Sequence, residues 1–303
     1  MTKEIGMKVF NNKMEGLLNF SDLKSTYVKV VYIIMFILLL LVAAACILPV
    51  IWALFSAFKE PSEMYKIPPT FLPERFHMSR VTEVLKSINL LPYFISTLCI
   101  IGGCWVIDVT FNGLAGYVLS KIRPRGTVLL ETLVFWSMLL PGIGLTPLYM
   151  TFVDMPLLHI DLTGTYFPMW LMAGCNAFNI MLLRNFFNSI PREYMEAARI
   201  DGCSDTGIFF RIILPLSKPV LAVVSIYSIL NSWNSFMWPY LILGGTNKEP
   251  ISVLLYQISG GGFGLKENDI LMVTLLASIP PILIYAFLSK QISGGLNMSG
   301  IKG

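Results

Sequence analysis

Polar side chains are scarce in this chain, so the few that could do chemistry are easy to isolate. Residues 193–202 read E-Y-M-E-A-A-R-I-D-G, four charges in ten positions. Ser189-Ile190-Pro191 can open a helix there, because Pro is tolerated in a first turn. Glu193 and Glu196 then complement the helix dipole near its start. Ala197 and Ala198 are good helix formers with little bulk. Asp201-Gly202 is a stop, since Gly accepts the left-handed conformation that ends a helix. Ser204 can cap a second helix running through Phe209, Phe210 and Arg211. A helix of about two to three turns is not stable alone in water. It must pack on its own chain or dock into another protein, and the residues by themselves leave both open.

A second set lies in an apolar stretch further on. Tyr227, Asn231, Asn234 and Trp238 fall at i, i+4, i+7 and i+11, one face of a helix. Asn both donates and accepts hydrogen bonds. Tyr and Trp offer a flat apolar face with a polar edge. The set suits the hydroxyls and CH faces of a sugar, and it would equally suit hydrogen bonding between helices. Asp108, Asn112, Glu131, Asn176 and Asn179 are further polar groups within apolar stretches. An unpaired charge at Asp108 would be expensive inside a membrane, so Asp108 is expected to pair across the bundle or to face water.

Other chemistries lack their parts. The two His, His77 and His159, fall in loops, and there is no H-E-x-x-H. No nucleophile stands beside a base, so no catalytic residue and no metal site are expected. The five Cys are odd in number with no C-x-x-C, which argues against disulfides and zinc. Asp108 and Glu131 are isolated carboxylates without a His between them, which is too little for a proton relay. No basic run with interleaved aromatics points to nucleic acid. No G-x-x-x-x-G-K-[ST] occurs, so the chain does not cradle ATP phosphates itself.

These residues need a scaffold, and the composition says what kind. Of 303 residues, 55% are apolar and 13% charged, against about 25% charged in a soluble domain. Residues 30–58, 87–107, 132–153, 162–183, 219–247 and 270–289 carry no charge. Each run is long enough for a bilayer core, which needs about 20 apolar residues. The expected fold is all-α, a polytopic membrane bundle of six helices at about 30–57, 93–120, 127–153, 163–185, 215–243 and 270–290. Residues 1–28 form a polar N-terminal segment. Residues 29–92 hold the first span and a long Pro-rich loop, 93–290 the core with its polar loop at 186–215, and 291–303 a Gly-rich flexible tail. With the N-terminus in the cytoplasm, fifteen of the 22 Lys and Arg fall inside. That asymmetry puts both termini and the polar loop in the cytoplasm. Prolines such as Pro49, Pro141, Pro168, Pro239, Pro280 and Pro281 are expected to kink the spans or to act as hinges.

The polar loop also carries a family pattern. Its spacing E-A-A-x3-G-x9-I-x-L-P runs from Glu196 to Pro215. It resembles the EAA loop of ATP-binding-cassette (ABC) importer permeases. The flanks L-P-G-I-G-L-T-P-L-Y (140–149), R-N-F-F-N-S-I-P (184–191) and N-S-W-N-S-F-M-W-P (231–239) resemble the carbohydrate-uptake, maltose-type branch. The likeness covers about 30–303 and is nearest to the six-helix second permease. It implies that 193–202 is a coupling helix, with Glu193, Glu196, Ala197, Ala198, Asp201 and Gly202 meeting a cytoplasmic ATPase. It implies a heterodimer with a second permease, two ATPases that hold ATP and Mg, an external solute-binding protein meeting loops such as 59–90, and lipid around the bundle. The tail would reach toward the ATPase interface. The chain itself would carry no cofactor, would sit in a bacterial cytoplasmic membrane, and would import a carbohydrate, with oligosaccharide ahead of monosaccharide. An importer for a non-sugar solute is the alternative. A secondary transporter would predict an internal inverted repeat, and the sequence has none.

Overall fold

The computed structural model describes residues 26–139, 144–156 and 158–299, with side chains as far as Phe287. The expected N-terminal segment therefore lies outside the described residues up to position 25, and so do Pro141 and the last four residues of the tail. Among the described residues there is no strand. The first third of the chain forms α1 (Thr26–Ala57), α2 (Ser79–Ser87) and α3 (Leu91–Ile122). Next come α4 (Thr127–Leu139), α5 (Leu145–Val153), α6 (Phe167–Ala173), α7 (Ala177–Ser189) and α8 (Glu193–Ile200). The chain closes with α9 (Asp205–Leu216), α10 (Lys218–Asn234), α11 (Met237–Leu243), α12 (Ile251–Ser259) and α13 (Glu267–Ser299).

Helices α1 and α3, and α13 as far as Phe287, are long and apolar enough to cross a membrane. Pro49 in α1 and Pro280-Pro281 in α13 sit inside their helices without ending them. The other three expected spans are each divided. Expected span 127–153 is α4 plus α5. Span 163–185 is α6 plus α7, parted at Gly174, Cys175 and Asn176. Span 215–243 is α10 plus α11, parted at Ser235 and Phe236. The last break has a direct cause in Pro239. A Pro ring collides with the carbonyl four residues back, here that of Ser235. The freed Ser235 carbonyl accepts the Ser252 hydroxyl at 2.8 Å instead. Helix α13 also runs on to Ser299, through much of the stretch expected to be a flexible tail.

Helix α3 organises the packing. Its Ile101 belongs to a core with Leu254 and Ile258 of α12 and Met272 and Val273 of α13. Its Ile100 and Cys104 join Phe152 of α5, Met169 of α6 and Ile242 of α11. Its Tyr117 joins Leu183 and Phe187 of α7, Met195 and Ala198 of α8, and Phe209 and Ile213 of α9. Helix α1 is the opposite case. Almost all of its apolar surface is left uncovered by the described residues, with a mean hydropathy of 3.2 over an 18-residue window. That is the surface a lipid-facing helix presents, since lipid tails are as apolar as Leu.

Helix α12 was not anticipated. Its nine residues fall below the length of a span, yet Ile251, Val253, Leu254 and Ile258 are buried. The Ile251 N–H donates to the Thr97 hydroxyl of α3 at 3.0 Å. The Pro-rich loop is likewise tied down. Buried Lys59 donates to the Thr70 carbonyl. Buried Glu63 accepts from the Thr70 hydroxyl at 2.7 Å. Arg80 of α2 meets Asp269 of α13 at 2.5 Å.

Candidate functional site

Helix α8 folds as its residues dictate. Met195 and Ala198, three apart, are 5% and 6% exposed and enter the core shared with α3, α7 and α9. Glu193, Tyr194, Glu196, Ala197, Arg199 and Ile200 are exposed, Ile200 by 87%. The two adjacent alanines therefore do different things: Ala198 seats the helix and Ala197 faces out.

The end of α8 is a full Schellman closure. The Cys203 N–H donates to the Ala198 carbonyl at 2.9 Å, and the Gly202 N–H to the Arg199 carbonyl at 3.0 Å. Gly202 has φ +80°. A Cβ there would meet nothing within 4 Å, so backbone conformation alone calls for Gly. Asp201 lies exposed on the same corner. The Ser204 hydroxyl then caps α9 by accepting from the Gly207 N–H at 3.2 Å. Arg199 and Asp205 pair across the corner at 2.9 Å, which pushes the Arg199 guanidinium further up. Helices α9 and α10 meet at 86°. The result is a knob with three exposed carboxylates, Glu193, Glu196 and Asp201, and two large exposed apolar side chains, Tyr194 and Ile200, seated in a core that reaches four other helices, α3, α7, α9 and α10.

The intramembrane polar groups divide into two sets. Asp108, Asn112 and Asn179 are almost fully buried. The Asn179 amide donates to both Asp108 oxygens, at 3.0 and 2.8 Å, and the Asn112 amide donates to Asp108 as well. Asn112 also gives a 2.9 Å hydrogen bond to the Ala173 carbonyl and takes one from the Asn176 N–H at 3.2 Å. Asn176 in turn caps α7 through the Asn179 N–H at 3.1 Å. These four residues were expected as pathway candidates. The structure places three of them between helices, where they hold the gap between α6 and α7 together. The expected pairing of Asp108 across the bundle is what the structure has. Glu131 is also paired, accepting from Arg184 at 2.7 and 3.1 Å.

Tyr227, Asn231 and Asn234 form the other set, and all three are exposed on one face of α10. Trp238 leaves that stripe because the helix breaks before it. It packs edge-on against Phe152, ring centres 6.0 Å apart. Tyr227 lies 5.5 Å from Phe178 of α7. The Asn234 amide turns back to the Leu230 carbonyl at 2.9 Å. Beyond the break stands a cluster that periodicity did not reveal: Phe236, Tyr240 and Tyr256, with ring centres 4.8 to 5.4 Å apart. Its signal was there only as single aromatics on two different helices. Hollows of about 600 and 400 Å3 open near Pro61, between the Pro-rich loop and the start of α13. Among the described residues no group of three or more His, Cys, Asp or Glu could hold a metal ion.

Comparison with known proteins fits this geometry. A family model described as binding-protein-dependent transport system inner membrane component matches residues 112–294. The polygalacturonan/rhamnogalacturonan transport system permease protein YtcP of Bacillus subtilis is 33% identical over 284 residues, 88% of this chain and 96% of that protein. The arabinooligosaccharides transport system permease protein AraQ of Halalkalibacterium halodurans is 26% identical, over 86% of this chain and 93% of that one. A chain in the crystal structure of a bacterial ABC transporter involved in the import of the acidic polysaccharide alginate superposes with TM-score 0.78 at 25% identity, over 88% of this chain and 98% of that chain.

Proposed function

This chain belongs to the binding-protein-dependent transport system inner membrane components, and from that premise we propose that it is a permease subunit of an ATP-driven oligosaccharide importer in a bacterial cytoplasmic membrane. The observation that carries the coupling part is α8, whose Glu193, Tyr194, Glu196, Ala197 and Ile200 are left exposed by the described residues and whose inward face is bolted into the bundle. On this reading Glu193, Glu196, Ala197, Asp201 and Gly202 meet a cytoplasmic ATPase, and Ala198 anchors the helix that does so. Two such ATPases hydrolyse ATP, and a second permease completes the pathway. The Lys and Arg asymmetry supports both termini and α8 lying in the cytoplasm. The opposite end, with the Pro-rich loop, then receives a solute-binding protein.

Carbohydrate as cargo is supported by the relatives, named for polygalacturonan, arabinooligosaccharides and alginate. The exposed Tyr227, Asn231 and Asn234 face would line the path beside the second permease, since exposed polar groups on a membrane helix turn from lipid. A ligand moves such a bundle only by favouring one of two discrete packings.

The test is a mild-detergent pull-down of the tagged chain from its native cells, beside a Glu196→Ala, Gly202→Pro double variant. An ATPase and a second permease should come down with wild type, and the ATPase should be lost from the variant. Recovery of no ATPase, or full retention by the variant, would remove the coupling assignment.

A further inference from the structure

Between the two helix breaks lies a hollow of about 180 Å3. Its floor is apolar, from Ile100 of α3 and Met169 of α6, both buried. Its rim is polar, from Asn231, Ser232 and Ser235. Trp238, the first aromatic of the lining after the α10 break, forms a wall. We propose that this hollow is a subsite for one ring of the transported oligosaccharide, an inference that rests on the sugar-importer reading above.

Three features of the hollow point the same way. The first is its placement. Irregular backbone at membrane depth survives only where it is buried in protein or lines a water-filled cavity. Here Met172 and Ala173 stand at one break and Ser235 at the other, all on the same hollow. Discontinuous helices facing one another are how membrane carriers commonly build a site in mid-bundle.

The second is the match of chemistry. A pyranose ring has apolar CH faces and a hydroxyl edge. Met169 and Ile100 meet the first need, and the three rim residues meet the second. The Trp238 indole supplies a flat face for stacking. A lipid tail would strand those rim groups against hydrocarbon, which is costly.

The third is availability. Asn112, Asn179 and Asn234 all spend their amides within the chain. Among the described residues the Asn231 amide has no such partner. It keeps two donors and an acceptor free for a ligand. The size then sets the stoichiometry. The hollow, about 180 Å3, is smaller than the roughly 300–1,000 Å3 of sites for drug-sized ligands. It takes one ring, and the remainder of the oligosaccharide lies along the exposed Tyr227 face.

The experiment uses the whole importer, co-purified with its partners and reconstituted in proteoliposomes. Uptake is followed with labelled trigalacturonic acid, arabinotriose and diacetylchitobiose as probes. Asn231→Ala and Trp238→Ala are each compared with wild type, and Trp238→Phe keeps an aromatic face. In parallel, Ser232→Cys is introduced with the five native cysteines replaced by Ser, and its labelling by a small methanethiosulfonate is timed with and without the transported probe. The expected result is a KM raised roughly fivefold to tenfold in each Ala variant, the worth of one lost contact. Trp238→Phe should recover most of it, and the probe should slow labelling at position 232.

Uptake with wild-type KM in both Ala variants, and labelling indifferent to the probe, would overturn the subsite and leave the importer reading standing. Uptake of none of the three probes by wild type would overturn the sugar reading and this subsite with it. If an Ala variant fails to assemble, the Phe variant and the labelling rates decide.

Discussion

The Asn179 amide grips both oxygens of Asp108, at 3.0 and 2.8 Å, in a site closed to solvent. This is the joint that lets α7 begin afresh beside α3 after the gap at 174–176. Asn179→Leu strips a buried carboxylate of its main donor. It should lower stability by roughly 1.5–3 kcal/mol, the range for hydrogen bonds to charged groups, read as thermal unfolding of the purified protein in detergent. Asp108→Asn should cost less, because the Asn179 carbonyl oxygen, buried without a partner among the described residues, can turn to meet the new amide. Equal losses from the two variants would contradict this account of the joint.

Ala197 and Ala198 should separate cleanly. Ala198→Leu forces bulk into the core beside Phe209 and should destabilise the permease by about 1–3 kcal/mol. Ala197→Leu adds the same bulk to the outward face. It should leave the melting temperature unmoved and reduce the ATPase recovered in a pull-down. A melting shift from Ala197→Leu would mean that this face is already covered.

Gly202→Ala tests the corner. The added methyl meets open space, so the cost is the left-handed backbone alone, about 1–2 kcal/mol. Hydrogen exchange of the Cys203 amide, which closes onto Ala198, should quicken while the amides of α7 keep their protection.

Gly116 lets α3 approach α7 closely. A Cβ there would stand 3.0 Å from the Arg184 backbone nitrogen and 3.2 Å from the Ile180 carbonyl. Backbone cannot swing aside as a side chain can. Gly116→Ala should therefore destabilise by roughly 1–3 kcal/mol, whereas Gly102→Ala, inside the same helix with nothing within 4 Å, should hold or raise the melting temperature, since Ala is the better helix former.

The short helix was readable because every signal for it is local. Glu193 near the start, Gly202 at the stop and Ser204 beyond it sit within twelve residues, and the structure uses Gly202 and Ser204 as caps. Which alanine points inward was not readable, since that depends on Tyr117 and Phe209 arriving from other helices. The break after Asn234 had a sequence signal in Pro239, four residues beyond Ser235, but unbroken hydropathy masked it. The gap at 174–176 had only the weaker marks of Gly174 and the N-cap Asn176. It exists because Asn112, over sixty positions earlier, takes the hydrogen bonds there. The same masking made Trp238 look like the fourth member of a stripe that ends at Asn234. Helix α12 was missed because nine residues cannot span a bilayer and a length criterion discards them.

The 86° elbow between α9 and α10 makes the pair a bell crank. Ser217 stiffens the pivot, its N–H shared between the Ile213 and Leu214 carbonyls at 3.0 and 3.1 Å. At 1.5 Å of rise per residue the arms are roughly 18 and 25 Å long. Turned as one rigid piece, the pair would convert a tug on α8 along the axis of α10 into sideways travel at the Asn234 end, larger by about 1.4 from those lengths. The amplification holds only while the pivot stays rigid, so a slack elbow would let the knob move and leave the far end at rest.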